Sequence, residues 1–335
     1  MLAGNLKTWF RRTLEILVSS VLLTAALWNI DFSRLCLALA KANYFWLFPP
    51  AISVVALLLL KSWRWRLLYY PEFRVPFPSV LTALSAGFLV SNILPARLGE
   101  VTGLLLIVGE QPVGVARTAS TILLEHLLDV SSLLLILLVL TLAADLPAFF
   151  PRPARLLEIL AASGIAVMLF MSFTRDRILS WVNRLLKRVA FLDSQNIRDF
   201  VGRFLDGFTV MRSRVGLLIV AMSLFGYSLV VATAWSSARA LSLEVPFVAI
   251  VVAVIVSTTG MIVPSSPGYV GVFHYLVIVS MSGSGVDKDK ALAFALLWHT
   301  ANYLTLSASG CIVLCMRGIS LSNLIHSTAM RRLKA

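Results

Sequence analysis

The chain alternates long apolar runs with short polar breaks, and the runs do not alternate apolar and polar residues at every second position. Helical spans are therefore expected in place of the strands of a membrane barrel. A span needs roughly 20 mostly apolar residues. Runs of this kind lie at 14–30, 45–61, 118–142, 155–173, 215–240 and 291–316, which predicts about six full spans. Two further apolar stretches are broken. One runs over 79–94, stops at Pro95 and resumes over 101–108; the other runs over 247–263, stops at Pro264 and resumes over 269–281. The breaks read Ser91-Asn92-Ile93-Leu94-Pro95-Ala96-Arg97-Leu98-Gly99-Glu100-Val101 and Gly260-Met261-Ile262-Val263-Pro264-Ser265-Ser266-Pro267-Gly268-Tyr269-Val270, and both contain Pro-x-x-x-Gly-x-Val. Paired Pro/Gly interruptions in the two halves of a membrane chain point to a transporter-type binding site.

The polar stretches set the orientation. Counted near span ends, 20 Lys and Arg fall at the N-terminus, 61–78, 174–214 and the tail, against 7 on the other side, so both termini are expected in the cytoplasm. With that orientation, 79–116 enters and leaves the membrane on the cytoplasmic side, and 247–281 does so on the outer side. The reading is one all-α polytopic domain over 1–335, with two re-entrant helical hairpins in an inverted-topology repeat. Residues 79–142 form the first repeat core and 247–316 the second. Residues 174–214 hold nine Lys/Arg and four Asp with apolar residues at helical spacing, so they are expected as basic amphipathic helices in the cytoplasmic interface. Lys7, Arg11 and Arg12 before the first run resemble a signal-peptide start, but Ala38-Leu39-Ala40 lies well past the run, which favours an uncleaved first helix.

Composition agrees with this picture. Of 335 residues 59% are hydrophobic and 13% charged, with mean hydropathy +0.89, where a soluble domain is nearer one quarter charged. The net charge of +13 sits in the loops of a positive-inside protein, so no nucleic-acid partner is expected. Cys36, Cys311 and Cys315 do not make a disulfide framework, and no other ligand stands at metal-site spacing beside them. No P-loop, His-Glu-x-x-His, Gly-x-Ser-x-Gly or Cys-x-x-Cys motif is present, so neither metal nor cofactor is expected.

The candidate chemistry lies at and after the breaks. Arg97 has the planar donors that bind a phosphate, Glu100 can orient it or meet a cation, and Gly99 lets a backbone approach at the start of a half-helix. The plainer alternative is an Arg–Glu pair that only anchors a turn. Glu125 and Asp129 are four apart and share a helix face, beside His126. They either face a cavity or lie in the headgroup region at a helix start. Asn92, Ser265, Ser266 and Gly268 complete the substrate-binding candidates, and the serines serve either a headgroup or the turn itself. His274, His299 and Asn302 are weaker candidates, since a lone polar residue on an apolar helix is more often a packing residue. His126-x-x-Asp129 and His299-x-x-Asn302 stand at comparable places after the two breaks.

At these residues the chain resembles the membrane (flippase) domain of the lysylphosphatidylglycerol synthase, or multiple peptide resistance factor, family. The resemblance rests on Asn92-x-x-Pro95-x-Arg97-x-Gly99-Glu100, Glu125-x-x-x-Asp129 and Ser266-Pro267-Gly268-x-x-Gly271-Val272, in that order, and covers most of the chain. Gly103, His126 and His274 stand where the family commonly has Arg, Arg and Glu. The resemblance implies a stand-alone lipid translocator in the inner membrane, with no aminoacyl-transferase domain and no enzymatic activity. Its expected partners are membrane lipids, anionic or aminoacylated, and the chain is compatible with a homo-oligomer. The rival readings are an intramembrane glycosyl or phosphoryl transferase acting on a lipid-linked substrate, and a non-catalytic assembly partner.

Overall fold

The structure is a computed structural model that describes residues 2–94, 98–143, 150–186, 194–261, 265–322 and 324. Every regular element among the described residues is a helix. The first, α1 (Leu2–Leu27), and the second, α2 (Phe32–Ala40), meet at a bend of 85°. Asp31 makes the corner by accepting from the backbone amides of Ser33 at 2.9 Å and Arg34 at 3.1 Å, a side-chain N-cap. Next comes α3 (Phe48–Leu67), with Pro49 and Pro50 in its first turn, where a missing N–H leaves no helix bond unmade.

A helical hairpin follows, α4 (Phe77–Ile93) and α5 (Leu98–Glu110). The two are antiparallel: Gly87 faces Gly99, Ala83 faces Gly103, and Gln111 Nε2 donates to Ser79 Oγ at 3.1 Å. Gly87 and Gly99 set the spacing. A Cβ on Gly87 would stand 2.9 Å from the Gly99 carbonyl oxygen, and one on Gly99 would overlap the Gly87 carbonyl. Small residues bring the two backbones into contact, as they do in membrane helix pairs.

Beyond the hairpin lie α6 (Val115–Ala143), α7 (Pro151–Phe173), α8 (Arg175–Leu186), α9 (Ser194–Asp206) and α10 (Arg214–Ala240). The chain closes with α11 (Phe247–Gly260), α12 (Val272–Ser282) and α13 (Lys288–Met316). α3 lies along α10, α13 along α4, and α6 along α7. One core gathers Ala234, Ala253, Phe273, Phe294 and Trp298; another gathers Trp65, Tyr69, Ile107, Leu124 and Phe208.

Among the described residues four helical stretches are long and apolar enough to cross a membrane: Tyr44–Leu67, Val115–Ala143, Ala154–Phe173 and Arg214–Ala240. The α1/α2 pair makes a fifth if it counts as one bent span. Four to five candidate spans among the described residues stand beside the expectation of about six. The run at 14–30 turns a corner after Leu27 and does not continue straight. The last helix, α13, has the length, but Trp298-His299-Thr300-Ala301-Asn302-Tyr303 puts polar groups in its middle. The shorter apolar helices occupy the inside of the bundle. Residues 249–255 of α11 are all buried in succession, so that helix has no lipid-facing side over this stretch. Apolar side chains such as Ile52, Leu142, Leu217 and Met316 are instead exposed around the outside, as a lipid-facing surface requires.

Candidate functional site

The two broken regions meet. α4 ends at Ile93, and its last turn carries Asn92, whose Nδ2 donates to Ser307 Oγ at 2.9 Å and to the Tyr303 carbonyl at 3.4 Å. Both partners are on α13. Tyr303 answers by donating its hydroxyl to the Asn92 carbonyl at 3.3 Å. The ring of the same Tyr303 lies against Gly268, which has φ +63 in the Pro-Gly turn before α12; a Cβ there would stand 2.8 Å from Tyr303 Cε2. Glycine is needed twice over at this position, for the left-handed backbone and for the close ring. Ser266 fastens the turn on its other side, its amide donating to Ser19 Oγ of α1 at 2.7 Å. Its own hydroxyl donates to the Val270 carbonyl at 3.0 Å, so its oxygen serves the turn.

Behind the turn stand two histidines. His299 Nδ1 lies 3.4 Å from His274 Nε2, with ring centroids 4.8 Å apart and Phe273 packed 4.9 Å from His299. Two buried polar atoms of this joint, His274 Nδ1 and Ser265 Oγ, have no hydrogen-bond partner among the described residues. Such atoms call for an occupant or a water. The joint thus unites Asn92, Ser265, Gly268, His274 and His299, while Asn302 only donates back to the Trp298 carbonyl of its own helix at 2.8 Å.

A second polar cluster links α3, α6 and α10. Arg64 is 2% exposed and forks onto Glu125, with Nε 2.9 Å from Oε1 and a second, shorter contact from Nη2 to Oε2. Nη2 also reaches Asp129 Oδ1 at 2.8 Å, Nη1 donates to Ser223 Oγ at 2.8 Å, and Lys61 Nζ takes Asp129 Oδ2 at 2.7 Å. Two cations and two anions therefore cancel inside the bundle. Glu125 and Asp129 do share one face, but the face meets α3. Arg117 does not serve them; it is 3.3 Å from Glu72 and donates to the carbonyls of Leu68 and Tyr69 at 3.4 Å. Glu100, in the first turn of α5, lies 3.3 Å from His126 Nε2, and both are partly exposed. Arg97 and Pro95 fall outside the described residues. No group of three or more His, Cys, Asp or Glu among the described residues is placed to hold a metal ion.

A family model described as the lysylphosphatidylglycerol synthase TM region matches residues 12–310, which takes in both breaks, the joint and the charged cluster. The chain belongs to the lysylphosphatidylglycerol synthase TM-region family. No curated protein and no solved structure matches it. Membership and the candidate spans together make it a membrane protein of a lipid-related family.

Several residues of these clusters escape a reading by motif. Tyr303, Ser307 and Ser19 frame the joint, and Lys61, Arg64 and Ser223 complete the charged cluster. The signal for the latter was present: Lys61 and Arg64 are three apart near the end of an apolar run, and Glu125 and Asp129 are four apart near the start of another. Opposite charges at matched helical spacing are natural partners across a helix pair.

Proposed function

We propose that this protein carries the polar headgroup of a membrane lipid between leaflets while the acyl tails stay in the bilayer. The observation that supports the reading is the joint of Asn92, Gly268 and Tyr303, where two interrupted helical segments meet inside an apolar bundle beside unmet polar atoms. Irregular backbone at membrane depth is tolerated where it is buried in protein or lines a wet cavity. In this reading the hairpins α4–α5 and α11–α12 are re-entrant from opposite faces and form an inverted repeat, with both termini in the cytoplasm of an inner-membrane protein. Arg97 holds the phosphate, and Glu100 with His126 lines the route. Glu125 and Asp129 act from behind, through the network that holds α3 against α6. The step is a movement with no bond made or broken, so no enzymatic activity is assigned.

The test is leaflet-resolved lipid movement in liposomes containing the purified protein, with several headgroups compared. Wild type is expected to move at least one of them, and Arg97→Ala to lose the movement about tenfold or more while remaining folded. Normal movement by Arg97→Ala removes the assigned role. No movement by folded wild type, with every headgroup tried, removes the reading.

A further inference from the structure

The helices α8 and α9 line an open groove apart from the joint, with a volume of about 340 Å³. That is at the small end of ligand sites. Arg175 and Asn183 face it from α8; Arg198, Arg203, Asp199 and Asp206 face it from α9. Helical spacing explains the grouping, because positions four apart share a face: Arg175, Leu179 and Asn183 line it from α8, with Leu179 as its apolar floor. The walls are already braced. Arg175 Nε is 2.5 Å from Asp206 Oδ1, and that hydrogen bond raises the guanidinium further above its ordinary value. Arg198 Nε donates to Asn183 Oδ1 at 2.7 Å across the two helices, which fixes the guanidinium and leaves its other N–H groups to point elsewhere.

We propose that this cleft binds the phosphate of an anionic membrane phospholipid, at a site separate from the headgroup route. Among the groups that line the cleft, three arginines and two aspartates leave one net positive charge, which matches the single charge of a phosphodiester; Asp176, 3.1 Å from Arg175 Nη1, is exposed outside the lining. A phosphomonoester carries about −1.5 to −2 at neutral pH and a nucleotide carries more, so both fit the cleft less well. The location supplies the lipid. α8 follows directly on span α7, and α9 leads into α10 through residues 207–212. Trp181, Leu185 and Phe200 are exposed on the outer faces, with Arg177 and Arg184 exposed beside them. Exposed aromatics with flanking arginines hold a helix pair at headgroup depth. Gly202 keeps the cleft open, since a Cβ there would meet nothing nearer than Leu179 Cδ2 at 3.9 Å.

The experiment is native mass spectrometry of the full chain in detergent, titrated with dioleoyl phosphatidylglycerol, with phosphatidylcholine and with inorganic phosphate. One phosphatidylglycerol is expected to bind in preference to phosphatidylcholine. The R198Q/R203Q double variant should weaken it about tenfold, the size expected for losing charge-assisted bonds. R177Q/R184Q removes the same charge from the outer face and should leave affinity within about threefold, a small electrostatic effect. Gly202→Leu keeps every charge and fills the cleft, so it should abolish the preference even if the arginine variant fails to fold. Equal weakening in the two arginine pairs, retained binding in Gly202→Leu, or equal binding of inorganic phosphate would each overturn the site.

Discussion

Two of the polar places that the described residues form inside the bundle are built on opposite plans. The α3–α6–α10 cluster is charged and closed: Lys61, Arg64, Glu125 and Asp129 each have an opposite charge in contact. The joint between the broken regions is neutral and open: Asn92, Tyr303, His274 and His299 hydrogen-bond one another in part, while His274 Nδ1 and Ser265 Oγ are left over. The cost of leaving a partner unmet explains the difference. A buried charge without a partner is far more expensive than a buried hydroxyl or imidazole without one. A cluster of charges must therefore close on itself, and it then serves to hold helices in register. A neutral site can remain incomplete until a ligand completes it.

The comparison can be broken at several strengths. Arg64→Ala strands Glu125 inside the bundle and leaves Asp129 to Lys61 alone; it should cost about 3–5 kcal/mol, seen as a large drop in the thermal transition of the purified protein or as loss of folded material. Removing one cation and one anion together, Lys61→Met with Asp129→Asn, leaves Arg64 and Glu125 paired. The double variant should be more stable than either single one, and additive losses in this cycle would show that the pair is not coupled. Gly268→Val meets both a left-handed backbone and the Tyr303 ring, so a loss of about 1–3 kcal/mol is expected together with loss of lipid movement. Asn92→Ala gives up the bond to Ser307 and should cost about 1 kcal/mol in stability. Its effect on lipid movement should be the larger one, about tenfold, and the reverse order would make the joint a mere fastening. Ser265→Ala is the finest probe. With no partner to lose among the described residues, its stability should stay within about 0.5 kcal/mol of wild type.

The sequence carried the outline of this arrangement unevenly. The breaks at Pro95 and Pro264 were legible because Pro and Gly interrupt apolar runs, and α4, α5, α11 and α12 begin and end near them. The amphipathic pair at 174–214 was legible from its period, and it appears as α8 and α9. Glu125 and Asp129 were legible as costly residues, and Lys61 and Arg64 as cations at helical spacing, but the pairing of the two sets was not. Lys61 and Arg64 read as positive-inside charges at a span end, since nothing in a local pattern says that α3 lies beside α6. The bend after the first apolar run was not legible for a similar reason. The run at 14–30 has the composition of a straight helix, whereas the corner depends on Asp31 capping α2 and on Lys288 reaching the carbonyls of Ala25 and Trp28. Tyr303 was invisible because its value lies in touching Gly268 and Asn92 at once, and only the fold sets those contacts.

The charged cluster also imposes an order on how the protein enters the membrane. Arg64 and Lys61 lie near the end of α3, yet Glu125 and Asp129 follow 61 to 68 residues later in the chain. At the usual 5–20 residues per second, roughly 3–14 s pass between the two halves of the network leaving the ribosome. During that interval two cations must be sheltered by lipid phosphates, by water or by the insertion machinery. α3 can settle to its final depth only when α6 arrives with the matching carboxylates. The network is therefore complete only once Asp129 has followed α3 out of the ribosome.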